Sequence, residues 1–204
     1  MAGLEAQVRI DYIDAVLADQ ARRAKQWNWT WGSVYVGATL GNVTWSLLSD
    51  DRGRQNENHV NAAKTAISVL SVALTGVRVN ARPRDTADPC EQVADREERL
   101  MAAARSEAKG QSWIKHTGVV GINLVTTLIV GFAFDRWRTG ITGGLIGVAV
   151  GEIMVWTQPN GAVHALRDYR AGKLGSVAPT GGTSWLLVPQ IAPEHVGLAL
   201  TGRF

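Results

Sequence analysis

One cysteine, Cys90, stands in 204 residues. No disulfide can close within the chain, and no thiolate cluster can hold a metal. Cys90 follows Asp88-Pro89, not the small apolar residues that precede a lipid-modified cysteine. The four histidines, His59, His116, His164 and His195, lack metal-ligand spacing. There is no serine nucleophile elbow, and Gly172-Lys173 lacks the further glycine and the hydroxyl residue of a phosphate loop. A dominant charge sign is missing too. Lys and Arg number 21 against 18 Asp and Glu, with no basic run interleaved with aromatics, which excludes a nucleic-acid footprint. Residues 1–26 carry Glu5, Asp11, Asp14 and Asp19 and no apolar run of the signal-peptide kind, so the first spanning helix is expected to direct insertion. No catalytic residue, cofactor or metal is expected, and the chain reads as non-enzymatic.

What the chain has in quantity is glycine, 22 residues, and tryptophan, eight. The glycines concentrate in Thr139 to Thr157, where Gly143, Gly147 and Gly151 are four apart and so are Gly140 and Gly144. Spacing of four stacks residues on one helix face. In water each mid-helix glycine costs about 0.8–1 kcal/mol relative to alanine. In lipid no water competes for the backbone, and a glycine face permits close helix packing. The series is not a dinucleotide fingerprint, because its spacing is four throughout and no strand precedes it.

Long uncharged runs alternate with dense charged ones. Residues 1–26 place Leu4, Val8, Tyr12, Ile13, Val16, Leu17 and Ala21 at helical steps, an amphipathic helix for a membrane surface, another subunit or its own bundle. Residues 27–79 read as a first transmembrane hairpin. Trp27 to Leu48 is uncharged, long enough to span, and carries a Gly37/Gly41 contact face. A polar loop then precedes a mostly apolar helix from Ala62 to Val79, with Lys64 near its start. Residues 80–116 are a charged helical loop. Asp88-Pro89-Cys90-Glu91 marks its helix start, with Asp as N-cap and Pro at the first position. Residues 117–157 form a second hairpin ending in the glycine helix, with Gly131 expected level with Thr142 and Glu152 level with Gly121. Residues 158–204 are a tail with a short helix, a loop-like stretch to Thr183 and a β-hairpin around Pro193-Glu194. Val196, Leu198, Leu200, Gly202 and Phe204 fall on one face. That alternation, ending in Phe, is similar to the last strand of bacterial outer-membrane barrel proteins over nine residues, without their other aromatic positions. One hairpin makes no barrel alone and would pair with strands from other subunits.

The expected fold is an all-α integral membrane protein: a four-helix transmembrane bundle of two helical hairpins, with a short C-terminal β-hairpin. Trp27, Trp29, Trp31, Trp45, Trp113, Trp137 and Trp156 lie at or near the ends of apolar runs, the pattern of interfacial anchors. Four spans put both termini and the charged loop on one side, together with sixteen of the 21 Lys and Arg. The positive-inside rule then favours the cytoplasmic (inner) membrane over the outer one, with cytoplasmic termini.

Glu152 is the candidate intramembrane polar site, with Asn123 and Asn42, because a carboxylate in a span is costly and often functional. Lys64 is separated from Glu152 by about ten residues in depth, roughly 15 Å at 1.5 Å per residue. Asn123, Thr126 or the Lys115–His116 end of the preceding helix are its expected partners. The leading functional expectation is a membrane subunit that oligomerises, or scaffolds a membrane-protein partner, through its glycine faces, with the lipid bilayer around it. The alternatives are a channel or transporter with a polar pathway around Glu152, and an outer-membrane component whose hairpin pairs between subunits.

Overall fold

The computed structural model describes residues 2–84, 86–174, 184–192 and 195–203, without the side chains of 2–4 and 184–203. Six helices account for most of it: α1 (Ala2–Leu48), α2 (Arg52–Thr75), α3 (Pro89–Gly110), α4 (Trp113–Phe134), α5 (Trp137–Trp156) and α6 (Gly161–Arg170). The expected amphipathic helix and first span are thus one continuous helix. Two antiparallel strands, β1 (Ser184–Ala192) and β2 (His195–Arg203), run from Ser184 opposite Arg203 to Ala192 opposite His195. The loop over 175–183, the Pro193-Glu194 turn, Phe204 and the alternating face expected of the last strand lie outside the described residues.

The chain divides into two compact units. One comprises Met1–Thr30, Val77–Ala108 and Pro159–Phe204, the other Trp31–Gly76 and Lys109–Gln158.

In the first unit the apolar residues point inward. Ile13, Val16 and Leu17 of α1 form a core with Leu100, Ala103 and Ala104 of α3 and Ala162 and Ala165 of α6. The stripe on α1 also takes in Ile10, Gln20 and Ala24, whereas Val8 is exposed. Helix α3 starts as its sequence predicts, with Asp88 accepting a hydrogen bond from the Cys90 amide at 2.9 Å. Asp95 and Arg99, four apart, make two hydrogen bonds at 2.7 and 3.1 Å. Arg96, buried on the inner face, reaches Asp14 of α1 at 2.9 Å. Arg9 bonds both Glu97 (2.6 Å) and the Tyr169 hydroxyl (2.7 Å), and that hydroxyl also donates to Glu97. Burial, helped by the Glu97 carboxylate, pushes the Tyr169 phenol up to about 12.

Glu107 is fully buried (0%) and closes this unit. Its carboxylate accepts the backbone N–H groups of Ala162 (2.8 Å) and Val163 (3.1 Å), at the start of α6. Asn160, at the N-cap position of α6, makes no side-chain cap hydrogen bond. A residue of α3 therefore satisfies donors that a local cap would usually serve, and places negative charge at the positive end of a helix.

The second unit is built the other way round. Two stretches, Pro89–Phe134 containing α4 and Trp137–Arg170 containing α5, are long and apolar enough to cross a membrane by length and composition. Among the described residues α1 and α2 do not reach that standard, because Asn28, Asn42 and several hydroxyls dilute one and Asn56, Asn58, His59 and Asn61 the other. Helix α2 differs from its expected Ala62 to Val79 span. Asp51 accepts the Gly53 amide at 2.8 Å and starts the helix ten residues earlier, at Arg52, and Gly76 ends it. Helices α4 and α5 are joined by Asp135 and Arg136 alone. Asp135 sits at φ 53°, the left-handed conformation that a short polar side chain tolerates. Arg136 reaches Asp51 at 3.1 Å and Glu57 at 3.3 Å, tying the α4–α5 turn to the α1–α2 turn. That guanidinium, with the Gly53 amide, holds the Asp51 carboxyl below its ordinary value.

Glu107 makes the first unit sensitive to pH. Burial raises its carboxyl above the ordinary 4.5, against the two backbone N–H groups, which lower it. The folded state then binds the proton more tightly than the unfolded chain, so this contribution is full below 4.5 and is lost as pH rises through the folded value. The thermal midpoint should fall on going from pH 4.5 towards neutrality. Glu107→Gln, which keeps an acceptor oxygen without charge, should flatten that dependence. Equal pH profiles for the two proteins, by circular dichroism in one detergent, would refute this role.

Candidate functional site

The site begins with the seam between α4 and α5. A Cβ added at Gly140 would lie 3.0 Å from the Thr127 carbonyl oxygen, at Gly144 2.1 Å from Thr127 Oγ1, at Gly147 1.9 Å from Asn123 Oδ1, and at Gly151 2.5 Å from Val119 Cγ1. The contact series is therefore 140, 144, 147 and 151, spaced four, three and four, which holds one face of a 3.6-residue helix. It draws on both series read from the sequence. Gly143 drops out, with nothing within 4 Å of its Cβ position. Gly131 packs against the Trp137 ring rather than level with Thr142. The two-residue turn centres the hairpin near residue 135, so opposed residues number three fewer in sum than expected and Glu152 falls toward His116 instead of Gly121. Gly37 and Gly41, on α1, also have nothing within 4 Å. Among the described residues nothing fills the space beside either glycine.

Around the seam, polar groups share the inside with Val130 and Val155, and most leucines and isoleucines lie outside. Asn123 (5% exposed), Thr126 and Ser46 are buried. Leu124, Leu128, Phe132, Leu145, Ile146 and Ile153 are exposed, Phe132 at 76%. Gly147 leaves the space that the Asn123 side chain occupies. The Asn123 amide donates to the Val119 carbonyl at 2.8 Å, and its oxygen accepts from Lys64 Nζ of α2 at 3.3 Å. An ammonium has three donors. No carboxylate among the described residues lies within 4 Å of that of Lys64. Further polar contacts join α1 to α2: Thr39 to Thr65 at 2.8 Å, and buried Ser46 to the Gln55 carbonyl at 3.2 Å and to His59 at 3.1 Å.

Glu152 is half-buried near the end of α5, and its Oε2 is 2.7 Å from His116 Nδ1 on α4. It lies five residues, about 7.5 Å along the helix, beyond Gly147. The Asn42 amide donates to the Ala38 carbonyl of its own helix at 2.7 Å. The three polar residues singled out in the sequence thus occupy separate places: Glu152 with His116, Asn123 with Lys64, Asn42 with its own backbone. Sequence reasoning misses the Lys64–Asn123 contact, because it considers Lys64 as a residue reaching for the interface or as a partner for Glu152. The hairpin register, which sets Asn123 against Gly147, was the available signal.

The tryptophans divide. Trp29, Trp45, Trp113, Trp137 and Trp156 are exposed, and Trp27 is half-buried. Trp31 is 4% exposed, packs beside Tyr35 and donates to Thr157 Oγ1 at 3.1 Å, so it braces the unit's interior and is no interfacial anchor. Among the described residues no three His, Cys, Asp or Glu side chains group as a metal site. No protein-family model, curated protein or solved structure matches this chain.

The seam can be tested by a neighbouring pair of substitutions. Gly144→Leu should force α4 and α5 apart and cost about 1–3 kcal/mol or more, as overpacking does. Gly143→Leu, into open space, should change the thermal midpoint little. Similar losses in both, followed by circular dichroism in detergent, would mean that the helices do not meet along this series.

Proposed function

We propose that the protein is a non-enzymatic integral membrane subunit, a four-helix membrane bundle bearing a second helical unit, whose role is assembly. One observation carries this reading: the leucines and isoleucines of the second unit are exposed, all but half-buried Ile122, while Asn123, Thr126 and Ser46 are buried along with Trp31, Tyr35, Val72, Val130 and Val155. In water that arrangement leaves apolar surface uncovered over two long helices. In lipid it is the low-energy one, because tails cover the apolar faces and backbone and hydroxyl groups find partners inside. The hydroxyls follow that rule. Thr65, Ser68, Thr126 and Thr157 each return a hydrogen bond to a carbonyl four residues back. The exposed Trp45 and Trp137 flank the turn ends of the hairpins, and Trp113 and Trp156 the opposite ends of α4 and α5, as an aromatic belt would. With four spans the Lys and Arg distribution favours the cytoplasmic membrane and cytoplasmic termini.

Assembly is assigned to the open small-residue faces. The seam glycines of α5 are used within the chain, whereas Gly37, Gly41 and Gly143 have nothing against them. Small residues four apart let a second helix approach closely. Light scattering with the detergent mass subtracted should give a defined oligomer for the wild type and a smaller species for Gly41→Leu with unchanged helix content. A wild-type monomer, or an oligomer indifferent to Gly41→Leu, would count against self-assembly through α1.

A second reading, ion or proton passage, is favoured by the Lys64–Asn123 contact, an ammonium with an amide partner inside a bundle of spans. In that case Lys64→Met and Glu152→Gln should abolish flux into proteoliposomes while the oligomer stays intact. Unaltered flux, or none in the wild type, would leave assembly as the function.

A further inference from the structure

The first unit contains an open groove of about 500 Å³ between α3 and α6. The spacing on each helix makes it. Met101 and Arg105 are four apart on α3, and Val163, Leu166, Arg167 and Arg170 repeat at three and four on α6, so each helix offers one face with both apolar and cationic residues. Met101, Val163 and Leu166 are half-buried and form an apolar floor, while Arg105, Arg167 and Arg170 are exposed at the rim. The size is that of a small-molecule pocket, roughly 300–1,000 Å³.

The three rim arginines, like Arg52, Arg54, Arg82 and Arg138, are not paired with carboxylates among the described residues; they are the ones that line a groove. Arg9, Arg22, Arg23, Arg84, Arg96, Arg99 and Arg136 each lie within 4 Å of a carboxylate. Arg105, Arg167 and Arg170 have no such partner among the described residues. Of the nearby acids, Glu107, two residues after Arg105, is buried and accepts the Ala162 and Val163 amides, and Asp168 on α6 and Glu98 on α3 are exposed; none is within 4 Å of a rim guanidinium among the described residues. Three guanidiniums around an apolar floor complement a ligand that is both anionic and apolar. A free phosphate would use the rim and not the floor, and a neutral lipid the floor and not the rim.

We propose that this groove binds an anionic phospholipid, its phosphate held by Arg105, Arg167 and Arg170 and its glycerol and first acyl carbons lying on Met101, Val163 and Leu166. Guanidinium forks match phosphate oxygens two at a time, which lysine does not. The sequence enters the apolar α4 five residues after Ala108, a groove-lining residue, and the arginines belong to the side assigned to the cytoplasm, where anionic lipids attract basic segments. This inference rests on the membrane reading.

The test is native mass spectrometry of the full chain in neutral detergent, titrated separately with phosphatidylglycerol and phosphatidylcholine. The wild type should retain one phosphatidylglycerol with a preference of about tenfold or more. Combined Arg105→Gln, Arg167→Gln and Arg170→Gln should remove that preference, at about fivefold for each charge lost. Inorganic phosphate at millimolar concentration should not displace the lipid. Should the triple variant lose helix content, Arg170→Gln alone, at an exposed helix end, should still show its fivefold share. Equal retention of the two lipids, a preference unchanged in the variants, displacement by inorganic phosphate, or displacement by an acidic peptide would each overturn the proposal. Carbonate washing of membranes tests the membrane reading separately. Release of the chain sinks that reading, whereas retention without lipid preference sinks only the groove.

Discussion

The second unit depends on backbone meeting backbone along the α4–α5 seam. Four glycines spaced four, three and four remove the Cβ atoms from one face of α5 between Gly140 and Gly151. The polar chemistry of the unit follows from that closeness. Thr127 Oγ1 lies 3.0 Å from the Gly140 carbonyl because no side chain stands between them. The Asn123 amide fits where Gly147 leaves room, and so comes within reach of Lys64. Glu152 follows the last seam glycine by one residue and meets His116. A larger residue at any seam position would move these groups together, since the helices have only a two-residue turn through which to adjust.

The two units solve the same burial problem with opposite arrangements. In the first, apolar side chains form the core and charges surround it, with the buried Arg96 and Glu107 each hydrogen-bonded to another helix. In the second, hydroxyls and amides that return bonds to carbonyls of their own helices share the interior with Trp31, Tyr35, Val130 and Val155, while leucines, isoleucines and the other tryptophans of the unit face out. Short side chains that bond four residues back need no distant partner. They keep a helix self-sufficient in an environment that offers none.

The charged residues of α3 show why one polar segment in a sequence can play two roles. Read by composition, the segment from Cys90 to Gly110 is a solvated helix. Its inner face, Val93, Arg96, Leu100, Ala103 and Glu107, is in fact part of a core. The alternation of Glu and Arg conceals this, because a buried ion pair and a surface one look alike in sequence. Arg96 and Arg99 sit three apart, and one crosses to α1 while the other pairs with Asp95 on its own helix.

Local rules made several features legible without coordinates: the Asp88 cap, the short hairpin turn, and the small-residue character of α5. Each depends on residues within one helical turn or one loop. The His116 end is among the expected neighbours of Glu152 because so short a connection as Asp135 to Arg138 forces an antiparallel hairpin. Other features were decided only by tertiary structure. Gly143 and Gly147 have equal sequence spacing, yet one meets open space and the other meets Asn123, because helix rotation is set by all the contacts of the seam at once. Trp31 and Trp29 are two apart and similar in pattern, yet Trp31 is buried against Thr157 and Trp29 exposed. Glu107 caps a helix more than fifty residues away, which no local pattern encodes. The sequence by itself determined which segments are apolar, where α3 begins and which faces are small. Which of those faces are used, and with whom, depends on distances between segments remote in the chain, and only folding sets those.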